Sequence, residues 1–324
     1  MSICKIGVLG VGNMGYNHVR ILASESGRFQ LIGIYDPNMG RAEKVAAQFG
    51  IKTFPTAQAL MSEVEAVVIA VPSSMHCEAA VQAAANGVHA LVEKPLALTP
   101  KEGREISDAF EHAGCALAVG HVERFNPVVQ ELIKLLRHEH ILAIEARRYS
   151  PFDGRITDAN VVQDMMIHDI DLVCNVLLPN QNAALQAAAG LSHCSGKLDY
   201  TQALLSFQTG AVGVLGASRV TQNKVREILI HTDTSYIAAD LLNRSLTVTQ
   251  NTNLVVYEGQ ANAYRQDSVT QRVFVPMQEP LREELHAFYQ LINGEESQIA
   301  QAAEANQALE LCEQIIQQAS TGNC

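Results

Sequence analysis

Ile3-Cys4-Lys5-Ile6-Gly7-Val8-Leu9-Gly10-Val11-Gly12-Asn13-Met14-Gly15 joins a short apolar run to a G-x-G-x-x-G turn. The glycine spacing alone is common; its meaning comes from the apolar strand before it and the helical pattern after it. In that setting Gly10 permits a tight turn and Gly12 lets the backbone approach a pyrophosphate. Gly15 lets the following helix pack close on the strand. Asn13 and Met14 lie within the turn, and the free N–H groups at the N-terminus of the helix it opens suit a phosphate. About twenty residues on, at the distance such folds use, Asp36 ends a second apolar run in Ile34-Tyr35-Asp36-Pro37. A carboxylate there accepts from ribose hydroxyls and repels a 2′-phosphate. The expected cofactor is therefore NAD rather than NADP, with Arg41 close enough to soften the preference.

Working outward, further apolar runs follow at Ala66 to Val71, His89 to Glu93 and Ala116 to Gly120. Short, almost wholly apolar runs suit a parallel sheet covered on both faces. Helical stretches lie between the runs, at Asn17 to Ser24, Arg41 to Phe49, Glu78 to Asn86 and Lys101 to Ala113. Gly87 and Gly114 stand where helices end. The pattern predicts a doubly wound α/β Rossmann domain over residues 1–122. Residues 123–324 read as an α+β domain with a mostly antiparallel open sheet. Helices are expected from Asn126 to His138 and Val162 to Leu178. Strands are expected at Ala203 to Gln208, Val212 to Ser218, Ile228 to Thr232, Ser245 to Gln250 and Val269 to Val275. Two helices, Leu281 to Ile292 and Ala300 to Ala319, close the chain.

Several residues fall where an open α/β sheet places ligand contacts, at the carboxyl ends of its strands. Val71, Pro72 and Ser73 leave the third run, and His76 opens the next helix. Glu93-Lys94-Pro95 closes the fourth, with Pro95 holding Lys94 extended. The segment Gly120-His121-Val122-Glu123-Arg124-Phe125-Asn126-Pro127 crosses the expected domain boundary. Farther on, Asp164 and His168 stand four apart on a helix, with Asp171 three beyond, so they share a face. A carboxylate beside an imidazole orients it and raises its basicity, which suits general acid–base work. No metal is expected, because zinc would need two more ligands at a suitable spacing.

The 324 residues allow about two domains at roughly 150 residues each. With 23 Lys plus Arg against 34 Asp plus Glu, the net charge is −11, which argues against a nucleic-acid partner. Local basic residues still allow an anionic small molecule. Arg124, Arg147, Arg148 and Arg155 cluster after the boundary, and Arg219, Lys224 and Arg226 follow on the predicted sheet. Arginine forks suit a diphosphate, and Tyr149, Tyr200 or Tyr236 could stack on a base. The seven cysteines follow no zinc or disulfide spacing. No apolar run approaches the ~20 residues of a membrane span. A cytoplasmic protein with reduced thiols and no membrane partner is the expectation.

Taken together, the GxGxxG half, the E-K-P strand end, the D-x-x-x-H helix and the C-terminal sheet resemble the Gfo/Idh/MocA oxidoreductases. The resemblance implies that Lys94 polarises the reacting hydroxyl and His168 takes its proton, with Asp164 aiding. Gly10, Gly12, Asn13, Met14, Gly15, Asp36, Arg41, Val71, Pro72, Ser73, His76, Glu93, Lys94 and Asn126 would face NAD. Glu123, Arg124, Phe125, Asn126, Arg148, Arg155, Arg219, Lys224 and Arg226 would face substrate. Residues 120–127 and 163–172 are further similar to a subgroup that oxidises the 3-hydroxyl of UDP-N-acetylglucosamine. In that setting a PLP-dependent aminotransferase consumes the keto product on the way to lipid A. The resemblance also implies a homodimer or homotetramer formed through the open sheet. Two other readings stay open: a dehydrogenase of UDP-N-acetylglucosaminuronate or an inositol, and a non-catalytic NAD-binding regulator.

Overall fold

The computed structural model describes residues 3–25, 27–153, 159–256 and 264–321. They divide into two compact units, one of residues 1–125 with 279–313 and one of residues 126–278 with 314–324.

The first unit is built on β1 (Cys4–Leu9), β2 (Phe29–Tyr35), β3 (Lys52–Thr53), β4 (Ala66–Ile69), β5 (His89–Glu93) and β6 (Leu117–Gly120). Its strands lie in the order β6-β5-β4-β1-β2-β3 and are all parallel. Between them run α1 (Asn13–Ser24), α2 (Met39–Phe49), α3 (Ala57–Met61), α4 (His76–Ala85) and α5 (Pro100–Ala113). Local chemistry sets the helix ends. Thr99 and Glu102 form a reciprocal cap on α5 with Pro100 in its first turn, and Gly114 ends it in the left-handed region. Chain order reverses between β1 and β4, and a crevice at such a switch point is where these sheets hold ligands.

The sequence pattern assigned everything after residue 122 to the second domain, whereas residues 279–313 belong with the first unit. The cause is packing. The helix α8 (Pro280–Ile292) buries Leu281, Leu285 and Phe288 in the first unit's core, where Phe288 stacks on Phe29 at 6.3 Å between ring centroids. A short strand further along, Ala300–Gln301, then extends the sheet by pairing antiparallel with β6.

The second unit opens with α6 (Pro127–Leu136) and β7 (Ile141–Tyr149). The helical run α7 follows over Val162–Met166, Ile167–Asp171 and Leu172–Leu177, π-wound at both ends and α-wound in its centre. Its other strands are β8 (Ala183–Leu191), β9 (Tyr200–Phe207), β10 (Val212–Ser218), β11 (Val225–Thr232), β12 (Ser235–Asp240), β13 (Ser245–Val256) and β14 (Tyr264–Arg272). They form one eight-stranded sheet, ordered β14-β13-β12-β11-β7-β10-β9-β8, antiparallel except where β7 meets β10. One face is buried through Ile144, Leu205, Leu215, Ile230 and Ile237, while the other leaves Leu204, Val212, Val214 and Tyr236 exposed. β7, β8 and β12 had not been anticipated from the sequence. The closing helix α9 spans Ala302–Thr321.

Candidate active site

The glycine turn leaves β1 at Gly10, whose φ of 81° only glycine adopts easily. A Cβ at Gly15 would collide with the Gly10 carbonyl, so this position has no room for one. A Cβ at Gly12 would meet nothing within 4 Å. The backbone there is open on its outer side, as close approach of a pyrophosphate requires. Asn13 and Met14 are exposed at the start of α1. Asp36, buried at the end of β2, braces the turn: its Oδ2 accepts the Val11 N–H at 2.8 Å and its Oδ1 accepts the Asn38 N–H at 2.8 Å. Arg41 reaches Asp36 from an exposed position, at 3.4 Å.

On the other side of the switch point, Val71, Pro72 and Ser73 leave β4 half-buried or exposed. His76 was expected to face the cofactor, yet it is 1% exposed. Its Nδ1 lies 2.8 Å from the Pro95 carbonyl and its Nε2 3.0 Å from the Val71 carbonyl. It thus ties the exit of β4 to the loop after Lys94. Lys94 itself is half-buried, and its bond to Pro95 is cis.

Glu93, also expected to face cofactor, turns inward: its Oε1 lies 2.7 Å from Nε2 of His18, both groups buried. Burial pushes the Glu93 carboxyl up, but the His18 hydrogen bond and the charges of His18, Lys94 and His76 outweigh this and lower it. Beside this pair stands Glu284 of α8. The sequence reading missed both His18 and Glu284. The signal was present in each, because a polar residue occupies the apolar face of an amphipathic helix: His18 with Gly15, Val19 and Leu22, and Glu284 with Leu281, Leu285 and Phe288.

Glu123, Arg124 and Phe125 are all buried, Phe125 in the hydrophobic core. Arg124 donates to Glu304 at 3.1 Å and to the Gln298 carbonyl.

In the second unit, Asn126 caps α6, accepting the Val128 N–H. Asp164, in the first π-wound segment, and His168, in the α-wound centre, are half-buried on a run that departs from the expected uniform α helix. Arg148 is 3% exposed and grips Asp169 with two nitrogens at 2.8 and 3.1 Å. Arg219, equally buried, pairs with Asp199 at 3.2 Å and donates to the Ala159 carbonyl. Arg124, Arg148 and Arg219 were expected to read a diphosphate, but each is committed to a carboxylate inside the protein, since a buried guanidinium needs one. Lys224 and Arg226 are exposed, and Arg155 lies outside the described residues. Gln202 donates to the hydroxyls of both Tyr149 and Tyr200, whereas Tyr236 packs on His231.

A doubly wound sheet with an open glycine turn and a buried acid at the end of β2 defines a dinucleotide-binding oxidoreductase. The chain belongs to the Gfo/Idh/MocA family: the family description, an oxidoreductase with an NAD-binding Rossmann fold, matches residues 4–121. Its cofactor is NAD. Among its relatives is UDP-N-acetylglucosamine 3-dehydrogenase of Acidithiobacillus ferrooxidans, 36% identical over 75% of this chain and 76% of that protein. The solved structure of that organism's enzyme superposes with a TM-score of 0.87 at 30% identity, over 99% of both chains. The scyllo-inositol 2-dehydrogenase (NAD(+)) of Bacillus subtilis is 27% identical over 75% of this chain and 76% of its own length.

Proposed function

We propose that the protein oxidises the 3-hydroxyl of UDP-N-acetylglucosamine to the ketone. The observation that carries this reading is the likeness, along nearly the whole chain, to a UDP-N-acetylglucosamine 3-dehydrogenase. The turn from Gly10 to Gly15 would hold the pyrophosphate of NAD and Asp36 a ribose, and the bound nicotinamide supplies the hydride acceptor. Lys94 donates to the reacting hydroxyl and polarises it. His168 takes the hydroxyl proton as general base, and Asp164 orients the imidazole and offsets its gained charge. Lys224 and Arg226 are the exposed cations suited to the sugar's diphosphate. In this reading the enzyme works in the cytoplasm and a PLP-dependent aminotransferase consumes its keto product, feeding a 3-amino sugar to lipid A. The exposed apolar face of the eight-stranded sheet is suited to joining copies into a dimer or tetramer.

The test is NADH formation by the purified protein with UDP-N-acetylglucosamine, UDP-N-acetylglucosaminuronate, scyllo-inositol and myo-inositol. The reading expects the first to give the highest kcat/KM. A rate with an inositol and none with any UDP-sugar sinks it in favour of a polyol dehydrogenase. Failure of every sugar to reduce bound NAD favours a regulator.

A further inference from the structure

Behind Lys94 lies a buried acid with no part in the hydride chemistry. Glu284 is fully buried on the inward face of α8, and neither of its oxygens accepts a hydrogen bond. One of its oxygens, one of Glu93 and a ring nitrogen of His18 all lie within 4.8 Å of one another. An ionised carboxylate without a donor in dry surroundings is strongly disfavoured, and two carboxylates at such close quarters cannot both ionise. One proton on Glu284 resolves both problems, because the acid is then uncharged and has a hydrogen to donate.

We propose that Glu284 is held as the neutral acid and donates to Glu93, forming a one-proton carboxyl pair that positions the Lys94 end of β5. His18 contacts the pair from α1, its Nε2 2.7 Å from Oε1 of Glu93. Burial first, and the charge of Glu93 second, push the Glu284 carboxyl well above the ordinary range. The elements packed against α8 carry Tyr16, His18 and Arg20 on α1 and Glu123 and Arg124 after β6, and of these His18 lies within 4.8 Å of Glu284, as does Glu93 of β5. Glu93 is the one whose charge raises it. The same three side chains could in principle ligate a divalent cation. Among the described residues, though, they form a group of three, one short of a tetrahedral set, and all are buried. The pair stands on this geometry alone, and only its action through Lys94 rests on the function proposed above.

The experiment compares the full-length protein with Glu284→Gln and Glu284→Leu. Infrared spectra from mildly acidic to mildly alkaline pH should show a protonated-carboxyl C=O band that shifts in D2O and is missing from Glu284→Gln. Its absence from the wild type overturns the proposal, as does a stoichiometric divalent ion in the purified protein. Gln keeps a neutral donor, so Glu284→Gln should retain kcat within about twofold, whereas Glu284→Leu loses about tenfold with NADH affinity unchanged. Equal damage in both variants overturns the positioning role. Should no substrate turn over, the proposed function fails, and NMR titration of the 13C-methylated Lys94 amine takes the place of kcat. It should match wild type in Glu284→Gln and differ in Glu284→Leu. Should the Leu variant not fold, the isosteric Gln variant carries the test.

Discussion

The Oδ2 atom of Asp36, at the end of β2, accepts the backbone N–H of Val11 inside the glycine turn. The residue read as the ribose partner is thus also a brace for the pyrophosphate loop, and the two roles separate on mutation. Asp36→Asn keeps an acceptor for Val11 but removes the charge that repels a 2′-phosphate. Fluorescence titration should show the preference for NADH over NADPH falling by on the order of tenfold, helped by Arg41 at 3.4 Å. An unchanged ratio would refute the electrostatic account of NAD selection.

The second and third glycines of the turn should fail in different ways. Nothing lies within 4 Å of a Cβ at Gly12, so Gly12→Ala should unfold at the wild-type temperature. Its affinity for NADH should drop about tenfold, as a methyl group displaces phosphate from the N–H donors. Gly15→Ala instead drives a methyl into the Gly10 carbonyl and should cost about 1–3 kcal/mol of stability, seen as a lower Tm with no cofactor present. If both variants lose only stability, Gly12 does not face the cofactor.

The Rossmann half was legible because its signals are local: an apolar strand, a glycine turn, an acid at the next strand end. The second unit was less so. β7 carries Glu145, Arg147 and Arg148 on a strand whose inward positions are Ile144, Ala146 and Arg148 itself. Arg147 and Arg148 read as part of a ligand cluster, because the carboxylate that neutralises Arg148 lies 21 residues away in sequence. Recovery of residues 279–313 by the first unit was hidden for the same reason, since it depends on Phe29 meeting Phe288. Lys94 and His168 stood out by spacing and strand position. The inward turn of Glu93 could not, because its partners His18 and Glu284 come from opposite ends of the chain.

Asp199 anchors the turn before β9. Its carboxylate accepts the N–H groups of His193, Cys194 and Ser195 and the Ser195 hydroxyl, and it pairs with Arg219. Burial opposes ionisation, but these bonds prevail and hold the carboxyl down at about 2. Because the folded value lies below the unfolded one, its stabilisation is complete at neutral pH and fades as pH falls from about 4 toward 2. Asp199→Asn should therefore cost about 3 kcal/mol at pH 7, leaving Arg219 unpaired, with the difference from wild type closing in acid. Denaturant melts across that pH range test it, and a constant difference would contradict it.

Arg148 and Asp169 form a buried pair, each 3% exposed. Removing one partner takes from the other its buried counter-charge, so Arg148→Met should cost about 3–5 kcal/mol. The double change Arg148→Met with Asp169→Leu should recover most of that loss, since two apolar side chains replace two desolvated charges. Chemical denaturation of the three variants decides the matter. A double variant as unstable as the single one would mean that Arg148 has partners beyond Asp169 that matter more.

Lys94 follows β5 half-buried, and His168 sits half-buried on the helical run of the second unit. If they polarise and deprotonate the reacting hydroxyl, their loss should spare the ground state of cofactor binding. Lys94→Ala and His168→Ala should each lower kcat by about a hundred- to ten-thousandfold while NADH binds with wild-type affinity. The Lys94 change should also raise KM for the sugar, because its amine meets the hydroxyl before the transition state. His168→Ala should act on kcat more than on KM, because the imidazole gains its charge only as the proton moves. Wild-type turnover in both variants would remove these residues from the chemistry. A loss confined to NADH affinity would instead reassign Lys94 to the nicotinamide.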